Sequence, residues 1–393
     1  MTKSLLMIDE PFIGHLYAHV PFCAKKCAYC AFYSEASDGA TVNRYVAALI
    51  REMELVAQDL RPRTVFFGGG TPSLLNLQQW ERILKAMERL NLLGAAEWTV
   101  ECNPATVSAA KARLLRDWGV NRVSMGVQSF DAALLERLGR IHSREMIFKS
   151  FDILRAAGFD NLNVDLMFAI PGQTMEMWRK TLAEAIALGS EHLSCYEVIY
   201  EEDTPLFEQL QAGKISTDED LACDMYDELL SAVEKAGFRQ YEVANFARHF
   251  SSVPGETPDY ACRHNINYWR GGSFYGLGPS AAGYVRGART KNVSNTSLYC
   301  DLLERGRRAI ESSEELPPLA RAGEIAAFGL RMTAGWPLAQ FQERTGFALQ
   351  QEWRSEINRM LDLGYGKLDQ QRFQLTRQGL RYVDWAAGEF LRS

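Results

Sequence analysis

No stretch of this chain is both apolar and long enough to cross a bilayer as a helix, which takes roughly 18–20 residues. The opening residues, MTKSLLMIDEPFIGHLY, hold one lysine but also Asp9 and Glu10, with no uninterrupted apolar core, so they fit a signal peptide poorly. A basic excess is missing too. The 43 Lys and Arg against 49 Asp and Glu leave a formal net charge of -6, which argues against broad electrostatic capture of nucleic acid. Nor is there a disulfide framework. Five of the eight cysteines (Cys102, Cys195, Cys223, Cys262 and Cys300) are scattered through a chain of 393 residues and read as core thiols. A cytoplasmic protein with no nucleic-acid partner is expected.

The other three cysteines stand together in HVPFCAKKCAYCAFY, residues 19–33, as Cys23, Cys27 and Cys30 with C-x3-C-x2-C spacing. Three thiols this close form a metal-ligand pattern. An iron–sulfur cluster on three cysteines leaves one iron open. A structural zinc wants four ligands, so the fourth would come from afar, from Cys102 or a histidine. Three inert thiols are the plain alternative. Phe22, Tyr29, Phe32 and Tyr33 would restrict water around any such centre.

From residue 16 to about 200, short apolar runs alternate with helix-length amphipathic ones. Strands are expected at 16–20, 64–68, 98–102, 122–127, 162–168 and 193–199, and helices near 41–58, 76–91, 106–118, 144–157 and 174–188. This βαβα rhythm predicts an α/β fold with a parallel sheet, closed partly into a (β/α)6 barrel or lying open and doubly wound, the barrel being preferred. Either form gathers functional groups at the carboxyl ends of the strands. Further on, a helix capped by Thr217 and one strand over 238–247 are expected, then a long irregular stretch over 248–290 rich in Gly, Tyr, Trp and His. The remaining residues read as helices followed by a hairpin and a helix, a small winged-helix-like unit. The expected division is 1–240, 241–315 and 316–393.

Several groups fall just after the predicted strands. Gly68, Gly69 and Gly70 in FFGGGTP allow close backbone approach to a ligand, but lack the lysine of a phosphate loop. Glu101, Gln128 and Asp165 follow successive strands, and Arg140 sits in LGRIHS. Each alone is an ordinary cap or turn residue; together they could converge on a polar ligand, the carboxylates accepting from ammonium or hydroxyl groups and the arginine holding a carboxylate. In RHNINYW, His264 lies near Tyr268 and Trp269, a set that suits either a heme contact or a capping histidine with packed aromatics.

Taken together, C-x3-C-x2-C, GGGTP, ECNP, NRVSMGVQSF, LGRIHS, DLMFAIPGQT and YEVIYEEDTPL resemble the radical S-adenosylmethionine superfamily, in its branch related to oxygen-independent coproporphyrinogen III oxidase. The resemblance is strong over about residues 20–290 and looser in the C-terminal unit, which is similar to a HemN-type terminal domain. It implies a [4Fe-4S] cluster on Cys23, Cys27 and Cys30, its open iron chelated by S-adenosyl-L-methionine. It places Tyr17 beside that cofactor, Tyr29 at the adenine, and Gly69, Gly70 and Thr71 at the methionine part. Glu101, Gln128, Arg140 and Asp165 would hold its remaining polar groups. The oxidases carry a further cysteine two positions past the third, where this chain has Phe32. HNINYW, by contrast, matches the H-N-x-x-Y-W motif of the heme-chaperone branch. The resemblance therefore implies heme as ligand with His264 as its contact, heme-accepting respiratory proteins at the cytoplasmic membrane face as partners, and allows a homodimer. It leaves oxidase activity as the alternative.

Overall fold

The computed structural model describes residues 11–36, 38–250 and 257–392. Residues 1–10 of the opening stretch and 251–256 of the expected irregular segment lie outside them. The first strand–helix pairs are β1 (Ile13–Val20), α1 (Gly39–Val56), β2 (Leu60–Gly69), α2 (Leu77–Arg89), β3 (Glu97–Cys102) and α3 (Ala109–Asp117). They continue through β4 (Arg122–Gln128), α4 (Ala132–Arg137), α5 (Arg144–Ala156), β5 (Leu162–Phe168), α6 (Met175–Ala187) and β6 (His192–Glu197). Strands β1 to β6 pair in parallel and in sequential order. A doubly wound sheet would reverse that order partway; this one does not, and it curves as an incompletely closed barrel.

Polar caps set the helix starts. Asp38, Asn76, Ser108, Ser143 and Thr174 each accept a backbone N–H of the first turn, which starts α1, α2, α3, α5 and α6 within a few residues of expectation. The apolar faces of these helices close over the sheet, where Trp80, Trp98 and Trp178 are fully buried. Burying each such side chain is worth roughly 1.5–3 kcal/mol or more. α4 was not anticipated from the sequence, and neither was α7 (Pro205–Gln211); both are short and lack a full apolar period.

Three expectations need correction. Asp218, not Thr217, caps α8 (Glu219–Lys235), its carboxylate accepting the Leu221 N–H at 2.9 Å. The single strand over 238–247 is a hairpin of β7 (Phe238–Glu242) and β8 (Asn245–Arg248), because Glu242 turns back to accept from Ala244 N–H. The long irregular stretch contains α9 (Arg263–Trp269), whose first N–H groups are taken by the buried Glu97, and then β9 (Tyr275–Leu277).

The completed sheet has nine strands, with β8 antiparallel on β6 at one end and β9 parallel to β1 at the other. C-terminal to it, a separate core forms around Trp336, Phe341, Trp353, Phe373 and Phe390. A three-stranded antiparallel sheet (Trp336–Pro337, Gly366–Leu368 and Arg372–Leu375) lies among helices there, in line with the winged-helix-like expectation. No helix among the described residues is long and apolar enough to cross a membrane.

The β9 edge is tied down by Glu52 of α1, which is fully buried and accepts from Gly278 N–H at 2.8 Å, Asn292 Nδ2 at 2.9 Å and Tyr299 O–H at 2.7 Å. Glu52→Ala strands three buried donors and should lower the unfolding free energy by about 3–5 kcal/mol in a denaturant titration. Glu52→Gln, which keeps an accepting oxygen, should lose less.

Candidate functional site at the carboxyl ends of the strands

The cysteine loop leaves β1 and stays laced to the glycine run that ends β2. Past the last paired residues, Val20 and Gly69, Gly70 N–H donates to Val20 O at 2.8 Å and Thr71 N–H to Phe22 O at 2.7 Å. Gly70 has to be glycine, since a Cβ there would stand 2.7 Å from both carbonyl oxygens. Gly69 has φ +101°, a conformation few other residues adopt, and its N–H donates to Glu101 Oε2 at 3.2 Å. The loop closes on itself where Glu35 N–H reaches Pro21 O and Cys23 N–H reaches Glu35 O. Its middle is pinned by Ala28, which donates to Leu138 O and accepts from Leu206 N–H. The helices that sequence patterning missed, α4 and α7, thus hold the cysteine loop in place.

Cys23, Cys27 and Cys30 are free and partly exposed, and all three line one cavity of about 490 Å³. That lies within the roughly 300–1,000 Å³ of small-ligand sites. Tyr29, Gly69, Gly70, Thr71, Glu101 and Gln128 line it as well, with Arg140 and Asp165. The residues expected after successive strands do therefore converge. Arg140 donates to Cys27 Sγ at 3.4 Å and to Gly126 O at 2.5 Å, while its Nε is buried without a partner. Thr71 Oγ1 lies 3.5 Å from Cys23 Sγ. Asp165 accepts from Ser124 Oγ at 3.1 Å and Asn163 Nδ2 at 2.7 Å. Burial, and secondarily the charge of Asp165, pushes Glu101 up to about 8.

Two predicted residues are not brought to the cavity wall. Tyr17 lies beneath it on β1, its hydroxyl 3.0 Å from His19 Nδ1. His264 is fully buried on α9, stacked on Phe66, with Nδ1 2.7 Å from Thr64 Oγ1 and Nε2 2.7 Å from Tyr268 O–H. Both ring nitrogens are engaged within the protein, so in this conformation the ring offers no ligand atom to a heme. Burial, reinforced by His15 and Arg122, pushes His264 down to about 3 and keeps it neutral.

Patterning missed part of the rim and the floor. Ile199 (66% exposed), Tyr196 and Ile141 join the expected Phe32 (69%) in an apolar mouth. Ile199 and Tyr196 belong to YEVIY, a stretch whose apolar run read only as a strand. The floor continues downward as a polar chain. Asn163 Oδ1 can only accept from His192 Nδ1 at 2.6 Å, so Nε2 is unprotonated and accepts the Tyr241 O–H at 2.8 Å. Tyr241 in turn accepts Cys262 N–H at 3.1 Å, at the start of α9.

The donor set fits an iron–sulfur cluster better than a zinc ion. No three Cys, His, Asp or Glu side chains converge on one ion position among the described residues, as a structural zinc requires. A cluster binds its thiolates through different irons and needs no such convergence. Cys102 lines the same cavity too, but from the buried end of β3 rather than from the cysteine loop.

Glu101 supplies a test of the site's electrostatics. Its folded value of about 8 exceeds the ordinary 4.5, so between those limits the folded state holds a proton that the unfolded chain has shed. Stability from this group is therefore lost as pH rises through that window. In denaturant unfolding, Glu101→Gln should gain on the wild type as pH climbs from 4.5 to about 8. A constant difference between the two proteins would show Glu101 ionised throughout.

The comparisons with known proteins agree with this geometry. The Radical SAM superfamily profile matches residues 17–185 and the HemN C-terminal domain profile residues 316–382. The heme chaperone HemW of Lactococcus lactis is 34% identical over 387 residues, covering 98% of each chain. That of Bacillus subtilis is 33% identical over 95% of this chain and 98% of its own. Among solved structures, coproporphyrinogen III oxidase (HemN) from Escherichia coli superposes with a TM-score of 0.82 over 97% of this chain and 90% of its own, at 20% identity, a likeness of fold alone. Identity at this level along nearly the whole of both chains is kinship rather than shared architecture, and the chain belongs to the HemW family of the radical SAM superfamily.

Proposed function

We propose that this protein binds heme and delivers it to heme-requiring proteins of the respiratory chain at the cytoplasmic membrane face. In this proposal it carries a [4Fe-4S] cluster on Cys23, Cys27 and Cys30 and binds S-adenosyl-L-methionine beside it. The observation that carries the reading is the near full-length similarity to heme chaperones of the HemW family. When bound, the cluster supplies one-electron chemistry at the sulfonium of adenosylmethionine.

The chain's own residues have distinct tasks in this reading. Gly69, Gly70 and Thr71 present backbone to the methionine part, where a side chain at Gly70 would be excluded by the Val20 and Phe22 carbonyls. Arg140 and Gln128 suit the ligand's carboxylate and neighbouring polar atoms, and Arg140 also sets a cation against Cys27. Glu101 and Asp165 suit its amino group and ribose hydroxyls. Burial keeps a proton on Glu101 at neutral pH, and the sulfonium cation of the ligand favours the ionised carboxylate, so binding should strengthen as pH rises towards about 8. Tyr29 would lie at the adenine. Phe32 and Ile199 at the mouth limit water entry.

The oxidase alternative finds its main obstacle at Phe32, which cannot replace the extra thiol of the oxidases. Anaerobically reconstituted protein should contain about four irons per chain, bind hemin and pass it to an apo-acceptor. With adenosylmethionine, a reductant and coproporphyrinogen III it should form no protoporphyrinogen IX. Cys27→Ser should lose the iron–sulfur absorbance. Formation of protoporphyrinogen IX would overturn the chaperone reading.

A further inference from the structure

A second cavity, of about 330 Å³, lies at the amino ends of the strands, the opposite end of the sheet from the cysteine loop. Its walls come from the start of β1 (Ile13, His15), α9, the hairpin around Arg286 and the C-terminal unit (Ile325, Trp336). Arg63, Arg263, Arg270, Arg286, Arg321 and Arg344 all line it, and no carboxylate does among the described residues. These six positions span 282 residues of sequence, from 63 to 344 counted inclusively, so folding alone assembles them. Arg286 pairs with Asp59 at 2.6 Å, and Arg270 donates to Gly335 O at 2.6 Å while lying 4.8 Å over the buried Trp336. Ile266, Tyr284 and Ile325 supply apolar wall between the guanidinium groups.

Arg263, Arg321 and Arg344 bring three guanidinium groups to a wall that holds no carboxylate among the described residues, and an anion with more than one acidic group relieves their mutual repulsion through bidentate pairs. The interleaved apolar wall asks that the anion also carry a flat hydrophobic body. The cysteine-loop cavity has the opposite character, with Glu101, Asp165, Glu197 and Glu201 against Lys25 and Arg140. An amphipathic dicarboxylate is therefore disfavoured there and favoured at the arginine cleft.

We propose that this cleft takes the heme, its two propionates on the arginines and part of its ring against Ile266 and Tyr284. The assignment rests on the heme-binding reading and gives that heme a place. It also gives the H-N-x-x-Y-W segment a structural part that the orientation of His264 does not. α9 forms one wall of the cleft through Arg263, Ile266 and Arg270. His264, behind that wall, shares the Thr64 hydroxyl with His15, whose Nδ1 lies 2.8 Å from it and which lines the cleft. His264 is thus a positioning residue, acting on the cleft through Thr64.

The test is an anaerobic hemin titration of the full-length, cluster-loaded protein, followed at the Soret band and repeated with hemin dimethyl ester, whose propionates are uncharged. In the variant Arg263→Gln/Arg321→Gln/Arg344→Gln, hemin affinity should fall roughly 10- to 100-fold, the loss of one or two charge-assisted pairs. Its iron content, melting midpoint and adenosylmethionine binding should be unchanged. The ester should bind the wild type and the variant alike, as weakly as hemin binds the variant. Undiminished hemin affinity in the variant, or equal binding of hemin and its ester by the wild type, would overturn the cleft assignment while leaving heme binding intact. Loss of hemin affinity in Ile199→Ser but not in the arginine variant would move the heme to the cysteine-loop rim. Failure of the wild type to bind hemin at all would instead sink the heme reading, and the cleft assignment with it.

Discussion

The absence of a side chain at Gly70 is the constraint on which the rest of the cysteine-loop site depends. It lets the β1–β2 ladder run on past the strand ends, so that two loops which would otherwise diverge are joined by the Gly70–Val20 and Thr71–Phe22 hydrogen bonds. A Cβ at Gly70 would meet both carbonyl oxygens at 2.7 Å, and backbone cannot yield as a flexible side chain would. Everything above the sheet follows from that closure. The thiols face the glycine run across one cavity, and the polar ends of β3 and β4, with the middle of β5, deliver Glu101, Gln128 and Asp165 to its floor.

The molecule separates charge along its strands. Carboxylates dominate one cavity and arginines the other, although the chain as a whole is only mildly acidic. Between them lies a buried polar interior, most of it hydrogen-bonded, with Thr99 Oγ1 and Arg122 Nε left without a partner. Asp165, Asn163, His192 and Tyr241 form a hydrogen-bonded line that ends on the Cys262 N–H at the start of α9. Glu97 takes the next two N–H groups of the same helix. The helix that borders the arginine cleft is therefore hydrogen-bonded to the floor of the opposite site, and half-satisfied alternatives in that interior would be costly.

Much of the cysteine-loop site was legible in the sequence because its parts are local. Each predicted strand is observed within a few residues, with Glu101 and Gln128 at the carboxyl ends of β3 and β4 and Asp165 midway along β5, so parallel pairing alone brings the three together. Residues governed by helix direction or by distant pairing were not legible. The surroundings of His264 suggested an irregular loop, but Glu97, 167 residues earlier, caps that segment as a helix and turns the ring into the core. The hairpin at Glu242 turns on a side chain folding back on its own loop, which apolar periodicity does not register. The arginine cleft left no local trace, since its residues come from both ends of the chain and none stands in a charged run.

The central claim is that one chain holds its adenosylmethionine and its heme in two separate sites at opposite ends of the strands of one sheet. The most direct measurement is a competition titration. Reduced, cluster-loaded protein is saturated with adenosylmethionine, hemin already reduced to its ferrous form is added stepwise under excess reductant, and free adenosylmethionine and the cluster's paramagnetic resonance signal are recorded together. Two separate sites predict that hemin binds to full stoichiometry while adenosylmethionine stays bound and the signal keeps its adenosylmethionine-bound shape. Release of adenosylmethionine in step with hemin uptake would contradict the account, because it would place both ligands in the cysteine-loop cavity.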